Sequence, residues 1–237
     1  MGPLEHPDAA AFEAGLLDHP HDLARWSAYS DYLTERGDPR GEFMRVQLAL
    51  EDESLSAADR KKLKDAEAEL MTAHEREWLG PLSAFTIDGE KTEHWRRRGD
   101  GPRPPVLHTF ERGWLRKVEF LDLSVNQARA FASCKSSRLL RELVVEAVKY
   151  DDEFTPGSDV PADTDGNEQA GLHALLRCPH LSAVLSLRLG ELTHQHQGEE
   201  YSNCHFAGRL AHHFVKQMPR IEELELYTYS RLIGTRY

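Results

Sequence analysis

Apolar residues in the first third of the chain recur at helical spacing. Phe12, Leu16 and Leu17 give an apolar side to a first helix ending near Asp18. Asp8 is its candidate cap, and His19-Pro20 breaks it. Asp22 can cap a second helix in which Trp26, Tyr29 and Leu33 share one face, and Gly37 stands where a helix C-terminal cap belongs. Asp38-Pro39 reads as a new start, with a carboxylate cap and then a proline at the first helical position. Phe43, Val46 and Leu50 line one side of that third helix. Ser56 opens a fourth, with Asp59 placed for a capping box and Leu63, Ala66, Leu70 and Trp78 as its apolar line.

The second half changes period. Four segments repeat L-x-x-L-x-L with aliphatic or aromatic substitution: Leu115/Val118/Phe120, Leu140/Leu143/Val145, Val184/Leu187/Leu189 and Ile221/Leu224/Leu226. Each is followed by a further apolar or aromatic residue, Leu123, Val148, Leu192 and Tyr229. Helix-like stretches at 127–140, 170–177 and 206–217 lie between them, the last two closed by Pro179 and Pro219. Successive segments start 25, 44 and 37 residues apart. The first spacing fits a leucine-rich repeat of about 20–29 residues. The others require insertions, which the polar stretches 151–169 and 193–204 supply. Stacked strand–helix units share a core that a single unit cannot close. The Asn or Cys expected after each strand is absent, so no asparagine ladder ties the turns together. The predicted fold is α/β: an N-terminal helical cap, then a short, degenerate leucine-rich-repeat-like strand–helix array. A compact α/β domain with a small mixed sheet is the alternative. Expected boundaries are a helical domain at 1–80, a linker at 81–110 and the repeat-like domain at 111–237.

Residues 25–47 read RWSAYSDYLTERGDPRGEFMRVQ. This run resembles the bacterial repeat-companion domain, whose pattern is close to YADWLEERGDPRAEFIRLQ. The likeness covers roughly residues 9–50, with Ser30 and Tyr32 as conservative departures. It implies a module that stands before leucine-rich-repeat-like segments and carries no catalytic role. Asp31, Arg36, Asp38, Arg40, Glu42 and Arg45 within it form either a charged docking site or a capping and ion-pair network fixing the turn between two helices.

Charge narrows the function. The 237 residues carry 29 Lys+Arg against 40 Asp+Glu, a formal net charge of -11. Broad contact with phosphate backbones is thereby disfavoured, and a basic protein partner fits better. Arg96, Arg97, Arg98 and Arg103 beside Trp95, in the run HWRRRGDGPRPP, read as a solvated loop rather than a nucleic-acid patch. No stretch is apolar for long enough to span a bilayer, and the first residues lack the basic and apolar regions of a secretory signal. Three cysteines without a C-x-x-C suggest reduced thiols and a cytoplasmic location. His194, His196, Cys204, His205, His212 and His213 crowd within twenty residues, but their spacing fits no standard zinc pattern. The acidic run 159–168 fails as a calcium loop, since Pro161 and Leu172 fall where ligating carboxylates belong. No nucleophile elbow or phosphate-binding glycine loop is present. No cofactor is expected.

The first expectation is therefore a non-catalytic protein-interaction module or adaptor. A metal-dependent enzyme built on the His-rich segment 194–213 is a second reading, and a structural subunit of a larger assembly a third. Alternation along the strands turns twelve residues away from the core, five of them Glu against one Lys and one Arg. A partner with a basic contact surface is expected on that open sheet face, bound chiefly by Glu119, Val144, Glu146, Arg188, Glu225 and Tyr227. The helices before residue 80 carry more apolar surface than so short a bundle can hide, so they should cap the repeats around residues 114–123. Residues 108–237 expressed alone should be insoluble or molten, as dye binding and near-ultraviolet circular dichroism would show; a well-folded monomeric fragment refutes this.

Overall fold

The computed structural model describes residues 2–91, 102–148, 170–190, 192–196, 199–202 and 208–226. Four helices come first: α1 (Pro7–Asp18), α2 (Leu23–Glu35), α3 (Pro39–Leu50) and α4 (Ala57–Leu79). After a 3-10 turn and the four-residue α5 (Ser83–Thr86), strands β1 (Val106–Glu111) and β2 (Trp114–Phe120) form a hairpin. Helix α6 (Val125–Ser133), β3 (Glu142–Val145), α7 (Ala170–Leu176) and β4 (Ser186–Leu189) alternate from there. A small hairpin, β5 (Leu192–His196) and β6 (Glu199–Ser202), precedes α8 (Gly208–Gln217) and β7 (Glu223–Leu226). The main sheet runs β1-β2-β3-β4-β7, with β1 antiparallel and the other four parallel. The protein is thus α/β, N-terminal helices followed by a five-strand mixed sheet.

Local chemistry explains the helix starts. Asp22 accepts from the amides of Ala24 and Arg25 at 3.0 and 3.2 Å, Asp38 from that of Arg40 at 2.9 Å, and Ser56 from that of Asp59 at 3.1 Å. Gly37 ends α2 with φ 72°. Helix α1 departs from expectation. It begins at Pro7, and His6 caps it by accepting from the Asp8 amide at 3.3 Å. Proline fits the first helical position, so Asp8 falls inside the first turn, where its charge still suits the positive helix end.

Stretch 81–110 corrects the expectation of a linker. Leu82 is buried, α5 follows it, and β1 pairs along its length with β2. Pro104-Pro105 stops short of the strand, where the missing amides cost nothing, and the Pro105 carbonyl accepts from Leu121 at 3.1 Å. Residues 92–101, with Trp95, Arg96, Arg97 and Arg98, lie outside the described residues.

The four repeating segments meet position for position. Val118, Leu143, Leu187 and Leu224 form one row, and Phe120, Val145, Leu189 and Leu226 the next. Leu123 and Val148 make a parallel bridge at the site where a repeat would place its asparagine. Two turns leading into the strands also match. The amide of Cys134 donates to the Phe131 carbonyl, Ser137 to Cys134 and Leu140 to Ser137; Cys178, Leu181 and Val184 do the same from Leu175 onward. Both cysteines stand six residues before the first aliphatic of the following segment. The predicted helix over 127–140 therefore breaks at Cys134 into α6 and a 3-10 turn, Lys135–Leu139. The polar insertion 193–204 contributes to the β5–β6 hairpin rather than remaining a loop, and residues 149–169 lie outside the described set.

Helices and sheet share their cores. Trp114 and Leu139 belong to the cluster formed by Leu16, Tyr29, Leu33 and Met44, whereas Leu79 and Leu82 belong to the sheet's own cluster. The β1–β2 turn makes the deepest contact. Arg112 and Gly113 both have positive φ, 49° and 79°, as a two-residue hairpin turn requires. Arg112 is held by Glu51 at 2.6 and 2.9 Å and by the Pro20 carbonyl at 3.1 Å; the Gly113 amide donates to Gln47 at 2.8 Å. A Cβ on Gly113 would lie 2.2 Å from the Met44 Cγ. Gly113→Ala should therefore destabilise the whole protein by about 2 kcal/mol, a fall of roughly 4–8 °C in melting temperature. Thermal unfolding followed by circular dichroism checks this; an unchanged midpoint refutes it.

Candidate functional site

The sheet face turned away from the core holds the residues expected to bind a partner. Register aligns them in rows. Lys117, Glu142, Ser186 and Glu223 form one, and Glu119, Val144, Arg188 and Glu225 the next. Glu146 and Gly190 continue beyond the ladder, their amides donating to Phe120 and Val145 at 2.9 and 2.7 Å. Five of the six expected contact residues thus share one face. Tyr227 lies outside the described residues.

That face is not open along its length. Glu119 and Val144 are 5% and 6% exposed, and Glu146 is fully buried. The expectation that these three present themselves to a partner is corrected. Alternation dictates which way a side chain points, not whether it reaches water. Lys117 pairs with Glu119 at 2.8 Å, and Arg188 stands 4.0 Å from Glu146. These contacts offset the cost of holding carboxylates away from solvent.

Exposure grows toward β7, which stands at the end of the sheet order. Glu222, Glu223 and Glu225 are exposed there, with the Ser186 hydroxyl donating to Glu223 at 3.0 Å. Leu224 and Leu226 occupy the core-side rows, yet are 40% and 38% exposed. Their row partners Leu187 and Leu189 are fully buried. The apolar rows of the sheet therefore run out at an acidic edge.

The other chemical candidates are differently placed. His194 and His196 lie on β5, described here by its backbone; Cys204 and His205 lie outside the described residues, and His213 is exposed on α8. Among the described residues no group of three His, Cys, Asp or Glu could hold a metal ion. The acidic run 159–168 also lies outside them. Among the described residues no helix is long and apolar enough to cross a membrane.

The charged cluster 31–45 disperses around the turn. Asp38 serves as a cap, Arg45 pairs with Glu42, and Arg36 lies 3.7 Å over the Tyr32 ring and 3.7 Å from Asp8. Arg40 turns inward instead, 4.8 Å over Trp114 and 5.7 Å from Trp78. The sequence pattern puts it in a docking site or a capping and ion-pair network; the two tryptophans that receive it are far away along the chain.

No protein-family model matches the chain, and no curated protein and no solved structure matches it.

Cys134 and Cys178 are buried, and desolvation pushes both thiols up to about 11. At about pH 8 only around one thiol in a thousand at each site would be the reactive thiolate. Alkylation by iodoacetamide, mapped by mass spectrometry, should spare both until the protein is unfolded. Rapid native labelling of either would contradict the assigned burial.

Proposed function

We infer that this protein is a non-catalytic interaction module whose partner is another protein with a basic contact surface. The observation carrying this reading is the acidic edge at β7, where exposed Glu222, Glu223 and Glu225 flank Leu224 and Leu226. An edge strand with uncovered apolar residues is a template for association. The surrounding carboxylates select a cationic partner and speed its approach. The formal net charge of -11 acts in the same direction.

Residues 1–80 act as a repeat-companion-like cap, supported by the motif at residues 25–47. Strands β2, β3, β4 and β7 form a short, degenerate leucine-rich-repeat-like array, supported by their common register and by the matching turns at Cys134 and Cys178. Burial of Glu119, Val144 and Glu146 moves the proposed contact toward Glu223, Glu225 and the neighbouring Tyr227. Arg188 takes a supporting part beside Glu146 and Glu225.

Affinity capture from extract of the native cell tests the site when variants are compared in parallel. Glu223→Lys combined with Glu225→Lys should weaken retention of the partner at least tenfold, about 1.4 kcal/mol. Glu69→Lys, on exposed helix α4, should retain it. Added salt should release it from the wild type. Equal retention by the double variant refutes the edge as the site.

A further inference from the structure

Among the described residues β7 has a strand on one side only. Its pairing with β4 decides which main-chain groups are left over. The Glu223 amide donates to the Leu185 carbonyl at 3.0 Å. Successive residues of a strand turn their N–H and C=O to opposite sides. Glu223 and Glu225 therefore bond to β4, and Leu224 and Leu226 each turn one N–H and one C=O away from it. Among the described residues nothing receives these groups.

The side chains add a matching pattern. Glu223 and Glu225 stand on one face of β7, Leu224 and Leu226 on the other, and all four are exposed. Leu224 and Leu226 continue rows in which Leu187 and Leu189 are fully buried. Helix α8 contributes Phe214 and Met218 to the sheet's core cluster, yet its Val215 is 41% exposed. The apolar layer thus stops one strand short of cover.

Resting on the reading of the β7 edge as the contact site, we propose that the partner supplies an extended segment that joins β7 as a further strand, cationic on one face and aliphatic on the other. Such a strand satisfies the outward main-chain groups of Leu224 and Leu226, lengthens the leucine rows and sets Lys or Arg beside Glu223 and Glu225. A second copy of this chain does not fit. Its β7 would bring acid against acid, and like charges across neighbouring strands repel. A cationic helix would meet the carboxylates but leave the strand's main-chain groups to water.

The probe is an acetylated and amidated heptapeptide of alternating Lys and Val, added to the full-length 15N-labelled protein. Amide hydrogen exchange followed by NMR reads β7 residue by residue. On binding, the amides of Leu224 and Leu226 should exchange at least about tenfold more slowly, with Glu223 and Glu225 little changed. N-methylation of the peptide separates strand addition from charge attraction. Methyl groups on one alternate set of residues, the set facing β7, should weaken binding at least about tenfold, and on the other set should not. The same composition with Lys and Val in blocks should also bind at least about tenfold more weakly. Leu224→Pro removes an outward amide and no bond to β4, at an edge where proline is tolerated; it should keep the wild-type circular dichroism and lose at least about tenfold in affinity. Should that variant fail to fold, the two methylated peptides decide on the wild type. Equal binding of both methylated peptides overturns the proposal, as does equal protection of all four amides or the absence of saturable binding. Leu224 and Leu226 amides already protected before peptide is added overturn it too, since another segment of the chain then occupies the edge. Each of these results leaves capture of the native partner to the Glu223→Lys, Glu225→Lys comparison, so strand addition and the acidic edge fail separately.

Discussion

Insertion of the β1–β2 turn into the helical layer is the contact on which the rest depends. Trp114 is the first residue of β2 and also part of the helical core, stacked on Tyr29 with ring centroids 5.9 Å apart. Truncating such a side chain removes about 3–5 kcal/mol, much of a typical domain's stability. Arg112 and Gly113 turn the chain back beside it, so β2 enters the sheet already fixed against α2 and α3. Every later strand of the main sheet is registered from β2, through Lys117 to Glu142, then Ser186, then Glu223. The placement of the acidic edge at β7 thus derives, strand by strand, from a hairpin tip held among helices.

A second set of contacts reinforces that junction through the end of α1. The last carbonyls of a helix lack internal partners and carry the negative end of its dipole. Arg141, just before β3, donates to the Leu16 carbonyl at 3.1 Å. Arg220, just before β7, donates to the Leu17 carbonyl at 2.9 Å and to the Asp18 carboxylate at 2.7 Å. Arg138 reaches the Leu4 carbonyl and Glu13. Turns from successive units of the sheet half therefore present arginines to one short helix. Burial raises the Glu13 carboxyl above its ordinary value, opposed by Arg138 and the Tyr29 hydroxyl, so that group favours the folded state most at low pH.

Local signals were the legible ones. Asp22, Asp38-Pro39 and Ser56 were readable because capping depends on a residue and its next three neighbours. The four aliphatic segments were readable because a strand ladder repeats its spacing. Strand β1 was hidden by its neighbours, since Arg, Gly and Pro dominate the composition just before it. The Arg112-Gly113 turn carried a signal in its glycine, but its unusual first residue is made tolerable by Glu51, sixty-one positions earlier. Burial of Glu119, Val144 and Glu146 could not be read from alternation, which gives direction and not cover. The shared spacing from Cys134 to Leu140 and from Cys178 to Val184 was available in the sequence and marks those cysteines as equivalent core positions.

Arginine is the residue that ties the helical half to the sheet half. Arg112 meets a carboxylate in a two-bonded pair, Arg138 meets Glu13, and Arg141 and Arg220 meet helix carbonyls. In each case the buried or half-buried charge has an oxygen to receive it, which is what desolvation demands. Arg40 sits at the same junction, in the most distinctive stretch of the sequence, with aromatic faces in place of oxygens. Burial pulls its guanidinium below the usual value, and Asp38 opposes that shift. The rings of Trp114 and Trp78 hold the side chain in place, while its Nε and Nη1 stay without hydrogen-bond partners. The same contact that seats the hairpin therefore sets a buried guanidinium against aromatic faces, whose attraction for a cation offsets part of its desolvation cost.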